Sequence, residues 1–168
     1  MLALLVTLQA LTKPLGQLVT GSCVNTILAI SALVGGLGCG LTVAVISPIL
    51  AFLLGIAPQI LTVPAIMAGN TVFVILLSLL ADKTGKNLVE QVIAWVAAAG
   101  AKFVTLYVIV VKIICGVMAP SLLAAGTLKE PMLKALPATF SWPQLFTALI
   151  GGAIALLIVP VLKKALHR

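Results

Sequence analysis

The sequence predicts an all-α integral membrane protein, a single domain over residues 1–168 that crosses the bilayer six times. The first observation is composition: the 168 residues are 62% hydrophobic and 8% charged, with a mean hydropathy of +1.33. Soluble domains carry about 25% charged residues, so this chain lacks the polar surface that water requires. The second observation is segment length, because a spanning helix needs about 20 apolar residues and the chain has room for at most six or seven.

Breaks at proline, glycine and charged clusters divide the chain into predicted helices. These are Met1–Thr12, Ser22–Val34, Leu41–Ile56, Pro64–Ala81, Leu88–Met118 and Trp142–Leu162. The first two are short for a crossing, so they must extend into flanking residues or be sheltered by neighbouring helices. The fifth is long enough to tilt or to extend beyond the membrane. Between the second and third, four glycines predict a tight turn, because glycine reaches positive φ freely: Gly35, Gly36, Gly38 and Gly40.

The basic residues predict the orientation of the helices. One side of the bundle carries Lys83, Lys86, Lys163, Lys164 and Arg168, and the other carries Lys13, Lys129 and Lys134. The positive-inside rule places the more basic side, and with it both termini, in the cytoplasm. Three connections then face outside, residues 13–21, 57–63 and 119–141. We expect a multi-pass protein of the plasma membrane, of prokaryotic origin.

Several other functions are disfavoured by the residues present. The net charge of +7 is not arranged as a patch of interleaved basic and aromatic residues, so no nucleic-acid partner is expected. The three cysteines are isolated and the one histidine is His167, so we expect no metal site, no cofactor and no Ser-His catalysis. Gly85-Lys86 lacks the context of a phosphate-binding loop. The N-terminus lacks the basic region of a signal peptide, so the first segment is expected to remain. The sequence predicts no enzyme and no catalytic residue.

Polar side chains inside the predicted spans are the candidates for function, because a polar group in lipid needs a protein partner or water. Lys102 falls near the middle of the fifth helix, where a lysine costs about 2.5–3.5 kcal/mol on insertion scales. Lys112 follows about 80° away on a helical wheel. No embedded acid is available as their partner, so a ligand carboxylate is one way to supply the missing charge. The alternative is that both lysines snorkel, or that Lys102 bonds backbone carbonyls.

The remaining polar candidates fall in the outer half of the predicted bundle. Asn25, Gln59 and Asn70 would outline a pocket open to the outside, with Trp142 and Gln144 at its rim. Each amide is also compatible with a helix-packing hydrogen bond, and Trp142 with an interfacial anchor. The predicted substrate site comprises Lys102, Lys112, Asn70, Gln59, Asn25 and Trp142.

The first helix has small side chains at three- and four-residue spacing. Ala3, Thr7 and Ala10 would let another helix approach closely. The spacing leaves open whether that helix is internal or belongs to a partner protein.

The chain resembles the substrate-binding S components of energy-coupling factor (ECF) transporters. The resemblance rests on its small size, six apolar segments and cytoplasmic termini, and on the stretches Ala3–Leu8, Gly21–Asn25, Ile46–Pro58 and Pro64–Asn70. It implies a six-helix protein that captures a vitamin or related micronutrient from outside and associates with a transmembrane scaffold subunit and two ATPases. It also implies that Ala3 and Thr7 occupy the small-residue motif that contacts the scaffold, although Thr7 departs from the usual alanine.

The expected function is therefore capture of a vitamin-like solute for an ATP-driven importer. An anionic solute is favoured by the lysines, for example the carboxylate-bearing vitamin pantothenate. Two other functions stay open: a stand-alone small channel or facilitator, and a structural membrane subunit without a ligand.

Overall fold

The computed structural model describes residues 1–56, 59–83 and 88–166, with side chains described for all of these except 81–83. The helices are α1 (Leu2–Thr12), α2 (Gln17–Leu53), α3 (Val63–Lys83), α4 (Leu88–Leu106), α5 (Ala119–Ala124), α6 (Glu130–Thr139) and α7 (Trp142–Leu166). Short 3₁₀ turns cover Lys13–Leu15 and Ile60–Thr62, and α4 continues as a π-helix over Tyr107–Val117. The prediction of an all-α protein is confirmed for these residues. Lys86, Arg168, His167 and Gly85, which entered the predictions above, lie outside them.

Four helical segments are long and apolar enough to cross a membrane. They are Gln17–Leu53, Ile60–Leu80, Leu88–Val117 and Glu130–Leu166, and Leu2–Leu15 is a shorter apolar helix beside them. Large apolar side chains also face outward along these helices; Leu157 in α7, for example, is 77% exposed. An apolar exterior of this kind suits lipid rather than water. The chain has the pattern of a multi-pass membrane protein.

The glycine turn divides α2 into two antiparallel arms, residues 17–35 and 37–53. Gly36 has φ 81° and ψ 173°, a conformation that only glycine adopts easily. A Cβ placed on Gly40 would lie 3.1 Å from the Cα of Ala32. In an uninterrupted helix these two residues would be about 12 Å apart along the axis. The chain therefore reverses at Gly36, and the first arm is longer than the predicted second helix because it begins at Gln17.

The two arms of α2 pack against α3 and α7 around a core of small and branched residues. Its fully buried members include Leu28, Ala44, Phe73, Val74 and Ala98. α1 covers this core through Leu5, which is buried. With 11 residues, α1 is about 16 Å long, short of the roughly 30 Å of a bilayer's hydrocarbon.

The stretch predicted as a long outer connection contains the two short helices α5 and α6. Leu128, Leu136 and Phe140 from this region are buried against Leu106 and Val110 of α4 and the π-helix. They form a second, smaller apolar cluster. This cluster covers the end of the bundle at which α7 begins, and it supplies one wall of the cavity described next.

Candidate functional site

Lys102 is the centre of a buried polar cluster that joins three helices. Its side chain is 3% exposed. The ammonium donates hydrogen bonds to the Oδ1 atoms of Asn25 in α2, at 2.5 Å, and Asn70 in α3, at 2.7 Å. It also lies 5.5 Å from the centre of the Phe73 ring, within the range of a cation–π contact. A lysine ammonium has three N–H donors, so two are used by these amides.

The amide of Asn25 is held in one orientation by its other contacts. Its Nδ2 donates to the backbone oxygen of Gly21 at 2.9 Å and to Oγ1 of Thr147 at 3.3 Å. Thr147 in turn donates to the backbone oxygen of Gln144 at 3.1 Å, so its oxygen is free to accept from Asn25. Because the nitrogen is occupied, the oxygen of Asn25 must face Lys102.

Asn70 differs from Asn25 in having an unsatisfied donor. Its oxygen accepts from Lys102, which can only donate, so its Nδ2 faces away from the ammonium. Asn70 is 1% exposed, and among the described residues its Nδ2 has no hydrogen-bond partner. A buried donor without an acceptor costs about 1–3 kcal/mol. The site is thus short of one hydrogen-bond acceptor.

Glycines allow close approach between neighbouring helices around this cluster. A Cβ on Gly151 of α7 would lie 2.6 Å from the Cβ of Asn25 and 2.7 Å from the backbone oxygen of Ser22. Gly69, next to Asn70, would similarly meet Leu106 of α4 at 2.8 Å. Small residues allow backbones to approach in this way inside membranes. Gly69 therefore lets α3 approach α4, the helix of Lys102, and Gly151 lets α7 approach α2, where Thr147 bonds Asn25.

A cavity of about 200 Å³ opens beside the cluster and includes Lys102, Asn25 and Asn70 in its lining. Its other polar lining residues include Gln9, Lys13, Gln17, Thr20 and Gln144. Its apolar walls are formed by Val24, Ile56, Ile66, Leu106 and Phe140. The cavity reaches the surface beside Lys13 and Gln17, which are exposed. Its lining includes residues from the first and third connections predicted to face outside, such as Gln17 and Phe140, and Ile56, which directly precedes the second.

A hydrogen bond made by one lining residue, Lys13, lies beside the mouth of the cavity. Nζ of Lys13 donates to the backbone oxygen of Gly55 at 2.6 Å. Lys13 belongs to the turn between α1 and α2, and Gly55 follows α2 with a φ of 67°. The bond therefore joins the first and second connections beside the cavity.

The charge of Lys102 has no carboxylate beside it in the described part of the chain. The sequence contains three acidic residues, Asp82, Glu90 and Glu130. Glu90 precedes Lys102 by twelve positions in α4, which is about 18 Å along the helix axis. Asp82 follows Asn70 by twelve positions in α3, which is also about 18 Å along the axis. Glu130 is exposed at the start of α6. The polar groups around Lys102 are neutral amides.

The remaining predicted site residues lie apart from this cluster. Lys112 is exposed in the π-helix, with its Nζ 5.6 Å from the centre of the Tyr107 ring. Trp142 is 63% exposed and stacks on Phe103. Gln59 is half-buried, and its Oε1 is buried without a partner among the described residues. None of these three is among the residues that line the cavity described above.

The small residues of α1 face away from the bundle. Ala3, Thr7 and Ala10 are exposed, whereas Leu5 is buried on the opposite side of the helix. Leu4 and Leu11 are exposed beside them. This outer face of α1 is therefore accessible to lipid or to another protein.

Sequence reasoning did not identify Gln9, Lys13, Gln17 or Thr20 as lining the cavity. Lys13 was interpreted only as a charge that orients the chain. Gln9 is a polar residue within a predicted span, and the reasoning that selected Asn25 and Asn70 would have selected it too. Gln17 and Thr20 carried no comparable signal, because they fell in a predicted loop.

No known protein family, curated protein or solved structure matches this chain. The fold and the cavity define its class: a helical membrane protein with a buried cation–amide cluster at one end of its bundle.

Proposed function

We propose that this protein is a substrate-capture subunit that binds a vitamin or related micronutrient from outside the plasma membrane, as the S component of an ECF-type importer. One observation carries the proposal: Lys102 lies in the wall of a cavity, 3% exposed, with neutral amides as its hydrogen-bond partners. A lysine in a spanning segment marks a functional site by default, because its insertion is costly. A bound anion would supply the negative charge that the described residues around Lys102 lack.

The packing beyond the cluster favours capture over a continuous pore. Leu28, Phe73 and Val74 follow Asn25 and Asn70 along their helices, and Ala98 precedes Lys102. All four are fully buried in the main core. A solute at the cluster would have to displace these side chains to cross the bundle. A stand-alone facilitator would need such a displacement in every transport cycle, whereas a capture subunit needs only the open end.

Import would draw its energy from partner proteins. The sequence has no phosphate-binding loop, and its three acids do not form an embedded proton relay. The exposed small residues of α1 offer a surface on which a transmembrane scaffold can dock, with two ATPase subunits attached to that scaffold. Two arguments support this assembly: the outward position of Ala3 and Thr7, and the resemblance of the chain to S components.

A ligand panel tests the capture function. Purified protein in detergent is screened by thermal unfolding against water-soluble vitamins and related solutes. A ligand at 100 times its Kd adds about 2.7 kcal/mol to the stability of the folded state. We expect at least one solute to raise the unfolding temperature, and no member of the panel to equilibrate across liposomes that contain this protein alone. Absence of stabilisation by every solute would overturn the proposal, and transport by the protein alone would favour a facilitator.

A further inference from the structure

Two of the residues that line the cavity, Lys102 and Asn70, carry hydrogen-bond donors that lack acceptors among the described residues. One is the third N–H of Lys102, since its other two serve Asn25 and Asn70. The other is Nδ2 of Asn70, which is buried and unpartnered. Nζ of Lys102 lies 2.7 Å from Oδ1 of Asn70, so the two donors belong to side-chain groups in direct contact. A ligand that suits these groups must offer acceptors to both donors and negative charge to one of them.

A carboxylate meets these requirements better than a neutral group. It offers two acceptor oxygens in one plane and has no donor of its own. Its hydrogen bonds to an ammonium are charge-assisted and about twice as strong as those between neutral groups. A primary amide in the same position would direct its own N–H₂ toward a donor. The pair of donors therefore selects an acid over its amide.

The rest of the cavity limits what the carboxylate can be attached to. Beyond the cluster, Val24, Ile66, Leu106 and Phe140 form apolar walls, and Lys102 is the buried cation among the lining residues described. A second carboxylate against those walls would be desolvated without a partner. The other lysine of the lining, Lys13, is exposed and donates its hydrogen bond to the Gly55 carbonyl. The volume of about 200 Å³ is below the roughly 300–1,000 Å³ of pockets for drug-sized ligands.

We infer that the substrate is a compact monocarboxylate with a short, mainly apolar body, whose carboxylate accepts hydrogen bonds from Nζ of Lys102 and Nδ2 of Asn70. Asn25 acts as a positioning residue: its amide is fixed by Gly21 and Thr147, and its oxygen holds the ammonium at the cavity wall. This inference rests on the proposed capture function and specifies the chemical class of its ligand.

Matched acids and neutral analogues test the inference. Thermal unfolding and calorimetric titration of the purified protein compare nicotinate with nicotinamide and butyrate with butyramide, with succinate as the dicarboxylate. We expect the acid of at least one pair to bind about 10-fold or more tightly than its neutral analogue, and succinate to bind more weakly than that acid. Equal or tighter binding of the neutral members, or of succinate, would overturn the inference while leaving capture intact. Failure of these compounds and of the whole vitamin panel would overturn both.

Two variants locate the binding atoms. Asn70→Asp replaces the unpartnered donor with a second oxygen and gives Lys102 an internal anion, so it should abolish acid binding while the protein still folds. Lys102→Met should weaken the acid about 10-fold or more and bring its affinity near that of the amide. Lys112→Met is the matched control, because Lys112 is exposed and outside the cavity lining. Undiminished acid binding by Asn70→Asp, or an equal loss in both lysine variants, would contradict the assignment.

Discussion

The ammonium of Lys102 lies 2.7 Å from the amide oxygen of Asn70, although the two residues are 32 positions apart and belong to different helices. Asn25 completes the arrangement from a third helix. The two asparagines make the same bond to Lys102, but they differ in their amide nitrogens. That of Asn25 has two acceptors, and that of Asn70 has none among the described residues.

This difference predicts that replacing asparagine with aspartate affects the stability of the protein differently at the two positions. Asn70→Asp loses no hydrogen bond and pairs a carboxylate with Lys102, so the ligand-free protein should be at least as stable as the original. Asn25→Asp also supplies a carboxylate, but it removes the bonds to Gly21 and Thr147 and sets its oxygen against a backbone carbonyl. We expect Asn25→Asp to be less stable than Asn70→Asp by about 1–3 kcal/mol. Thermal unfolding in detergent measures this, and equal stabilities would show that the bonds of Asn25 contribute nothing.

The close packing at Gly151, which is not among the cavity-lining residues, predicts that a side chain added there would disturb the site. Alanine there would place a methyl group 2.7 Å from the backbone oxygen of Ser22 and 2.8 Å from the backbone nitrogen of Thr26. Neither atom can move without shifting α2, so we expect a loss of about 1–3 kcal/mol in stability together with weaker ligand binding.

Gly100→Ala is the control for that substitution. A Cβ at Gly100 would meet nothing within 4 Å, and Gly100 lies in the interior of α4. This variant should be unchanged or more stable by up to about 1 kcal/mol, the helix preference of alanine over glycine. If Gly151→Ala behaved like Gly100→Ala, the close approach of α2 and α7 would not be required.

The hydrogen bond from Lys13 to the Gly55 carbonyl predicts that Lys13 slows ligand release. Its bond to the Gly55 carbonyl joins two connections beside the mouth of the cavity. Lys13→Met removes that bond without altering the cluster, so dissociation should accelerate by about 2- to 10-fold, the range expected of one ordinary hydrogen bond. Stopped-flow displacement of a bound ligand measures the rate. Lys134→Met, an exposed lysine of α6 outside the cavity lining, should leave it unchanged; equal rates in both variants would contradict the role of Lys13.

The proposed ECF-type assembly predicts that a scaffold subunit docks on the outer face of α1. Ala3→Trp adds bulk to an exposed position of α1 and should reduce copurification with coexpressed ECF scaffold and ATPase subunits, while ligand stabilisation of the isolated protein persists. Ala97→Trp adds the same bulk to an exposed position of α4 and should not affect copurification. Undiminished recovery of the complex with Ala3→Trp would exclude this face as the interface.

The sequence allowed the centre of the site to be predicted because of one physical constraint. Polar groups in lipid must find partners, and this reasoning selected Asn25, Asn70 and Lys102, which the fold brings together. The same reasoning extended to Lys112 by assuming an α-helical wheel. The chain changes to a π-helix at Tyr107, and the wider turn alters which side chains share a face.

Other features depend on contacts that no local pattern reveals. The start of α3 and of α7 agrees with the prediction to within one residue, because apolar length and proline mark those boundaries. The helices α5 and α6 were missed because α5 has only six residues and α6 contains Pro137. The roles of Gly69 and Gly151 appear only when the facing helix is in place.

The reversal at Gly36 restricts how a solute can enter. The two arms of α2 are joined through a single residue, Gly36, so they stay close together at that end. We therefore expect any separation of the two arms that admits a molecule to be larger at the opposite end, beside the hydrogen bond from Lys13 to the Gly55 carbonyl.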